Sequence, residues 1–260
     1  MRSLVAAIWA EGLKVRRSKI LWISIAFAAF LDVVMGFLMF VLKNPDFARK
    51  YRLIATKASI AGQADWPSFL WMLTQGTAIA GMIGFSFIAS WIFGREYSDR
   101  TLKDLLALPS SRASIVTAKF VVTGVWCTVL AVLVFALGLT VGTLVGLEEW
   151  NSQIIHAGAM TYVSTSVLTI LLVSCVAFFA SVGRGFLPAL GFAVLAVIMA
   201  QVITVLGYGP YFPWAVPALH SGAAGPEAAR MGTASYLTVY GTSLAGLLGT
   251  YSWWRFADQT

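Results

Sequence analysis

Charge is what this sequence has least of. Of 260 residues only 11% are Asp, Glu, Lys or Arg, while 59% are hydrophobic and mean hydropathy is +0.81. A soluble domain is about a quarter charged, so the polar inventory here is too small to coat a globule of this size. That scarcity excludes an ordinary soluble fold and points to a chain resident in a membrane. Histidine and cysteine are scarce too, with two of each. Cys127 and Cys175 both sit in apolar runs, where they behave as small hydrophobes and imply no disulfide framework. The net charge of +7 has no soluble domain on which to form a basic face. It therefore reads as topology and lipid charge, with no nucleic-acid partner.

Several catalytic signatures are also missing. No G-x-x-x-x-G-K-[ST] loop occurs, so the chain cannot cradle ATP in that way itself. H-E-x-x-H is absent, GFSF at 84–87 fails the intramembrane serine protease pattern, and EEWNSQ from Glu148 lacks the arginine of the prenyl-protein protease type. His156 and His220 have no partner constellation in the sequence. An intramembrane enzyme is therefore the weakest reading, with no catalytic residue and no metal site to assign.

What the chain has in abundance is long apolar runs. Six reach the length of about 20 residues that a helix needs to cross hydrocarbon, near 20–42, 69–93, 113–141, 157–182, 186–206 and 235–254. Each is continuously apolar rather than alternating, so helix is the expected state and the fold class is all-α, polytopic, with six spans. The whole chain, 1–260, reads as a single transmembrane domain. Residues 1–19 set Leu4, Ile8, Trp9 and Val15 against Arg2, Glu11, Lys14, Arg16 and Arg17, the pattern of an interfacial amphipathic helix. The N-terminus does not read as a signal peptide.

With six spans, twelve basic residues fall on one side: five before the first span, five in 94–119, Arg184 and Arg255. The other side has six, so the N- and C-termini are expected in the cytoplasm of a cell-membrane protein. The loop 43–57, with five basic residues, runs against this count and suggests another interfacial helix. Residues 207–226 carry Pro210, Pro213, Pro217 and Pro226, which rules out a regular helix. An external loop or re-entrant turn is expected over 207–234.

One stretch stands apart. FGREYSDRTLKDLLALPSSRASIVTAKF, residues 93–120, holds eight charged residues between two membrane-length runs. Glu96 and Asp99 favour a helix start, Asp99 and Lys103 are spaced for an ion pair, and Leu102, Leu105 and Leu106 form a short apolar stripe. Pro109 ends the helix, Ser110 or Ser111 can cap the next, and Lys119 can snorkel to the interface. Such a helix could lie on lipid. Its mixed charge and few leucines suit a small protein-docking knob better.

This run resembles the cytoplasmic loop of type-2, exporter-type ABC transporter permeases, and most of all the compact six-span branch of bacitracin resistance and lantibiotic immunity. The shared pattern is an acidic residue, Thr-Leu, a leucine pair, Leu-Pro, Ser-Arg and a lysine in the next span. Here these are Glu96, Thr101, Leu102, Leu105, Leu106, Leu108, Pro109, Ser111, Arg112 and Lys119. Arg100 stands where many members have glycine. The resemblance implies that 94–112 is a coupling hairpin docked on a separate ABC ATPase, present in two copies and carrying the ATP and Mg. It implies contact through Glu96, Asp99, Thr101, Leu102, Leu105, Leu106 and Arg112. It also implies a second permease copy, or a paralogous permease, and a peptide-antibiotic or lipid-like substrate.

Within the spans, Asp32 is the costly residue, since a carboxylate at mid-membrane is worth about 3 kcal/mol against insertion. It either lines a substrate path or dimer interface, or makes a structural hydrogen bond between spans. Gln75 and Gln201 are weaker candidates of the same kind. Asp32 also sustains the rival reading of an ion-coupled secondary transporter or channel, although no inverted repeat is visible.

Overall fold

The computed structural model describes residues 2–44, 46–47, 63–106, 110–222 and 231–256. Among these the fold is all-α with no strand, and a single bridge joins Asp65 to Glu148. The helices are α1 (Arg2–Arg16), α2 (Lys19–Lys43), α3 (Trp66–Gly76), α4 (Met82–Ser98), α5 (Leu102–Leu106), α6 (Arg112–Val145), α7 (Ser152–Val182), α8 (Phe186–Val205), α9 (Val216–His220) and α10 (Thr233–Phe256). A π turn, Thr77–Gly81, joins α3 and α4 into one continuous rod, Trp66–Ser98.

Among the described residues five segments are long and apolar enough to cross a membrane: α2, the α3–α4 rod, α6, α7 and α8. The sixth expected span is the 24-residue helix α10, whose Ser, Thr, Gly and Tyr content leaves it less apolar than those five. It lies parallel to α7 for most of that helix. Val239 packs with Leu168, Ser174 donates to the Ser243 carbonyl, Cys175 Sγ reaches the Thr242 carbonyl, and Trp254 Nε1 donates to Ser181. Gly246 permits the approach, because a Cβ there would stand 2.6 Å from the Cys175 nitrogen.

Local chemistry sets the ends of the helices. Asp65 accepts from the Ser68 amide at the start of α3, Ser111 from Ser114 at the start of α6, and Asn151 from Gln153 at the start of α7. Gly146, at φ 67°, ends α6 with the Leu147 amide returning to the Gly142 carbonyl. Lys43 places its ammonium on the Val145 and Gly146 carbonyls, a cation at a helix C-terminus. That gives one of the five basic residues of the 43–57 loop a structural use; most of the loop lies outside the described residues.

In the proline-rich stretch the chain forms one 3-10 turn, Gly209–Tyr211, and the short α9, which begins next to Pro217. Residues 223–230 lie outside the described residues.

The segments expected on one side of the membrane do meet at one end of the bundle. Glu11 of α1 reaches Lys119 of α6, Arg112 donates to the Trp254 carbonyl, and Gly94 of α4 abuts the α7–α8 turn at Gly185. There α1 presents Leu4, Ile8, Glu11 and Val15 toward the protein, while Val5 and Trp9 point away. The apolar and polar faces expected of it are therefore partly exchanged: Trp9 is 69% exposed and Glu11 is buried.

Candidate functional site

The charged run is built differently from the expected hairpin. No new helix starts at Glu96; instead α4 continues through Gly94 to Ser98, and Asp99 is its C-cap. Gly94 survives inside the helix because a Cβ there would fall 2.6 Å from backbone atoms of Gly185 and Phe186. The break comes at Arg100, with φ 56°. The Thr101 amide returns to the Glu96 carbonyl at 3.0 Å, which makes this a Schellman ending with arginine at the position that favours glycine. The short α5 then follows.

Beneath this turn lies a closed ring of four charges. Lys119 Nζ donates to Glu96 Oε2 at 2.7 Å and to Glu11 Oε2 at 3.3 Å; Lys14 Nζ donates to Glu96 Oε1 at 2.8 Å and to Glu11 Oε1 at 2.6 Å. Lys119 also donates to the Ile92 carbonyl at 2.6 Å. Acid and base alternate around the ring and the formal charge sums to zero, the condition under which buried ions are tolerable. Burial works against the Lys14 ammonium, but Glu96 and Glu11 beside it outweigh that and hold its pKa above the ordinary lysine value. The ring locks α1, α4 and α6 together directly under the charged turn.

This corrects several expectations. Lys119 is 0% exposed and does not snorkel, because the glutamates supply inside the protein the partners that water would otherwise give. Glu96, at 2% exposed, has both oxygens engaged inside the protein. Leu102, 7% exposed, belongs to the main core, and Leu105 packs against it half-buried. Arg112 reaches the Trp254 carbonyl at 3.2 Å and ties α6 to α10. Asp99, Thr101, Lys103 and Asp104 are exposed. Asp99 pairs with Arg95 at 3.1 Å, not with Lys103 as its spacing suggested. The side chain of Leu106 and residues 107–109 lie outside what is described. Glu11 and Lys14 were legible only as a polar helix face; their i, i+3 spacing and a lone lysine in an apolar span were the available signal.

Deeper in the bundle, Asp32 is 1% exposed, and neither carboxylate oxygen has a hydrogen-bond partner among the described residues. No described residue therefore makes the expected structural bond between spans there. Gln75 and Gln201 do not join Asp32; they line a separate cavity of about 180 Å3 under Trp214 and Leu219.

His220 does have partners after all. Its Nε2 lies 2.7 Å from Ser164 Oγ and its Nδ1 2.9 Å from Tyr236 OH, which bridges α9 to α7 and α10. Ser164 lies in mid-helix, where backbone amides are already bonded along the helix, so it brings no oxyanion donor of its own. The cluster reads as a structural clasp.

Comparison with known proteins agrees with this architecture. A family model described as "ABC-2 family transporter protein" matches residues 7–200, well over half of the chain. The bacitracin transport permease protein BCRB of Bacillus licheniformis is 28% identical over 181 residues, covering 69% of this chain and 86% of that protein. The chain belongs to the ABC-2 family of transporter proteins. It is a multi-pass permease subunit of an ABC exporter, a transport subunit that works with an ABC ATPase.

Proposed function

We propose that this ABC-2 permease pairs with a second permease chain, most simply a copy of itself, and exports a peptide antibiotic from the cell membrane. Two copies of the ATPase, carrying ATP and Mg, drive it from the cytoplasmic side. A closed two-fold pair is the commonest assembly. The substrate class follows the printed name of the Bacillus licheniformis relative. The end of the bundle that gathers α1, the 94–112 hairpin, the α7–α8 turn and the end of α10 faces the cytoplasm, as its surplus of Lys and Arg favours. In this orientation α10 is the sixth span, since it shares the depth of α7.

The observation that carries this reading is the exposed tip Asp99–Asp104 seated on a buried ring of charge. A surface that receives force must be rigidly joined to the spans it moves, and the ring joins it to α1, α4 and α6. Contact with the ATPase falls to Asp99, Thr101, Lys103 and Asp104, with Leu105 at the margin, while Glu96, Leu102 and Arg112 position the tip.

The test is affinity purification of the tagged chain from its native membrane beside a Lys103→Glu, Asp104→Arg variant. Both positions are exposed, so the variant inserts and folds. The ATPase accompanies the unaltered chain and is lost from the variant. An ATPase retained equally by both would remove the hairpin from the docking surface.

A further inference from the structure

Between α2, α4, α6 and α8 lies a cavity of about 420 Å3, in the size range of small-ligand sites. The π turn with Gly76 forms one wall, and Phe27, Phe85 and Tyr162 supply aromatic faces. Ile23, Phe27 and Val194 are partly exposed and lie at its edge, so it opens toward the hydrocarbon between α2 and α8. Among the described residues that line it, Asp32 is the one carboxylic acid, and there is no lysine, arginine or histidine.

The hydroxyls around the cavity are already committed. Ser24 donates to the Leu21 carbonyl, Thr77 to that of Leu73, and Tyr162 to that of Ala131. None of these three hydroxyls donates to Asp32, whose two oxygens have no partner among the described residues at 1% exposure. A buried polar group without a partner is expensive, and a carboxylate at membrane depth more so. A ligand that brings a donor would satisfy it.

We propose that Asp32 anchors the ammonium group of a cationic amphipathic ligand, a primary amine on an apolar body that enters from the bilayer. An amine brings the hydrogen-bond donors that the carboxylate lacks. The apolar walls take its body, and the aromatic rings favour a nearby cation. A metal ion does not fit, since hard cations need six or more oxygen ligands and one carboxylate in an apolar chamber cannot supply them. The inference rests on the exporter reading and narrows its substrate class to compounds carrying an amine.

The test is equilibrium binding of radiolabelled dodecylammonium to the purified permease–ATPase complex in lipid nanodiscs without nucleotide. The expected result is a saturable component, one per permease chain, displaced by unlabelled dodecylammonium but not by dodecanol. Asp32→Asn weakens that component at least about tenfold, the loss expected for a charge-assisted hydrogen bond. Asp32→Glu keeps most of it. Val194→Trp, which narrows the edge without touching the carboxylate, weakens it as well. Equal binding by the wild type and Asp32→Asn, or no saturable component in the wild type, overturns the proposal and leaves the carboxylate holding a proton alone. The ATPase content of the same preparation is measured separately, so failure of the exporter reading is distinguishable from failure of the amine site.

Discussion

Lys119 Nζ lies 2.7 Å from Glu96 Oε2, with both side chains sealed inside the protein, one on α6 and the other at the end of α4. The pair closes the ring through Glu11 and Lys14, so removing one member strands a buried charge. Lys119→Met or Glu96→Gln alone should cost about 3–5 kcal/mol, read as a lowered melting temperature in detergent. The double variant leaves Glu11 and Lys14 to neutralise each other. It should therefore be more stable than the sum of the single losses, by about 1–3 kcal/mol. Strict additivity would mean that the ring is not a coupled unit.

Arg100 adopts a left-handed conformation that costs a non-glycine residue about 1–2 kcal/mol. Arg100→Gly should stabilise the fold by up to about 1 kcal/mol, after the extra freedom of glycine in the unfolded chain is subtracted. Arg100→Val should destabilise it. Melting curves of the three proteins give the order, and a Gly variant less stable than wild type would show that the arginine side chain makes a needed contact.

Two glycines of α10 test its packing on α7 against an internal control. A Cβ at Gly246 would meet backbone atoms of Ser174 and Cys175 at 2.6–2.8 Å, whereas nothing lies within 4 Å of one at Gly241. Gly246→Ala should cost about 1–3 kcal/mol. Gly241→Ala should be neutral or gain about 0.5–1 kcal/mol, because alanine suits a helix interior better. Equal effects at the two positions would contradict the close α7–α10 contact.

Burial lowers the pKa of His220, so the fold favours its neutral form. The unfolded chain then takes up a proton at higher pH than the folded one. The contribution of His220 to stability is present above the usual histidine value of about 6.5 and is lost as pH falls below it. Comparing melting from pH 8 to pH 5 for the wild type and His220→Gln should show the gap between them narrowing with acid. A constant gap would mean that His220 does not titrate in the clasp.

Span positions were legible because a continuous apolar run of membrane length admits one structure: 20–42 became Lys19–Lys43, and 186–206 became Phe186–Val205. The charged hairpin was legible as composition but not as geometry. Glu96 and Asp99 look like a helix start by charge preference, yet a pair of lysines and a close crossing at Gly185 carry α4 past them. Those partners are distant in sequence, with 82 residues separating Lys14 from Glu96. No local pattern announces them. His220 was opaque for the same reason, since Ser164 lies 56 residues earlier. Asp32 was the reverse case. Its cost in a span marked it from the sequence alone, and the structure adds the cavity and the committed hydroxyls around it.

Whether an ATPase seats on the tip of this hairpin can be read by site-specific photo-crosslinking in native membranes. A photoreactive residue at Thr101 is compared with one at Val132, an exposed position in mid-span of α6. A single adduct of ATPase mass from position 101, absent from position 132, is expected. No adduct at 101, or the same adducts at both positions, would contradict it.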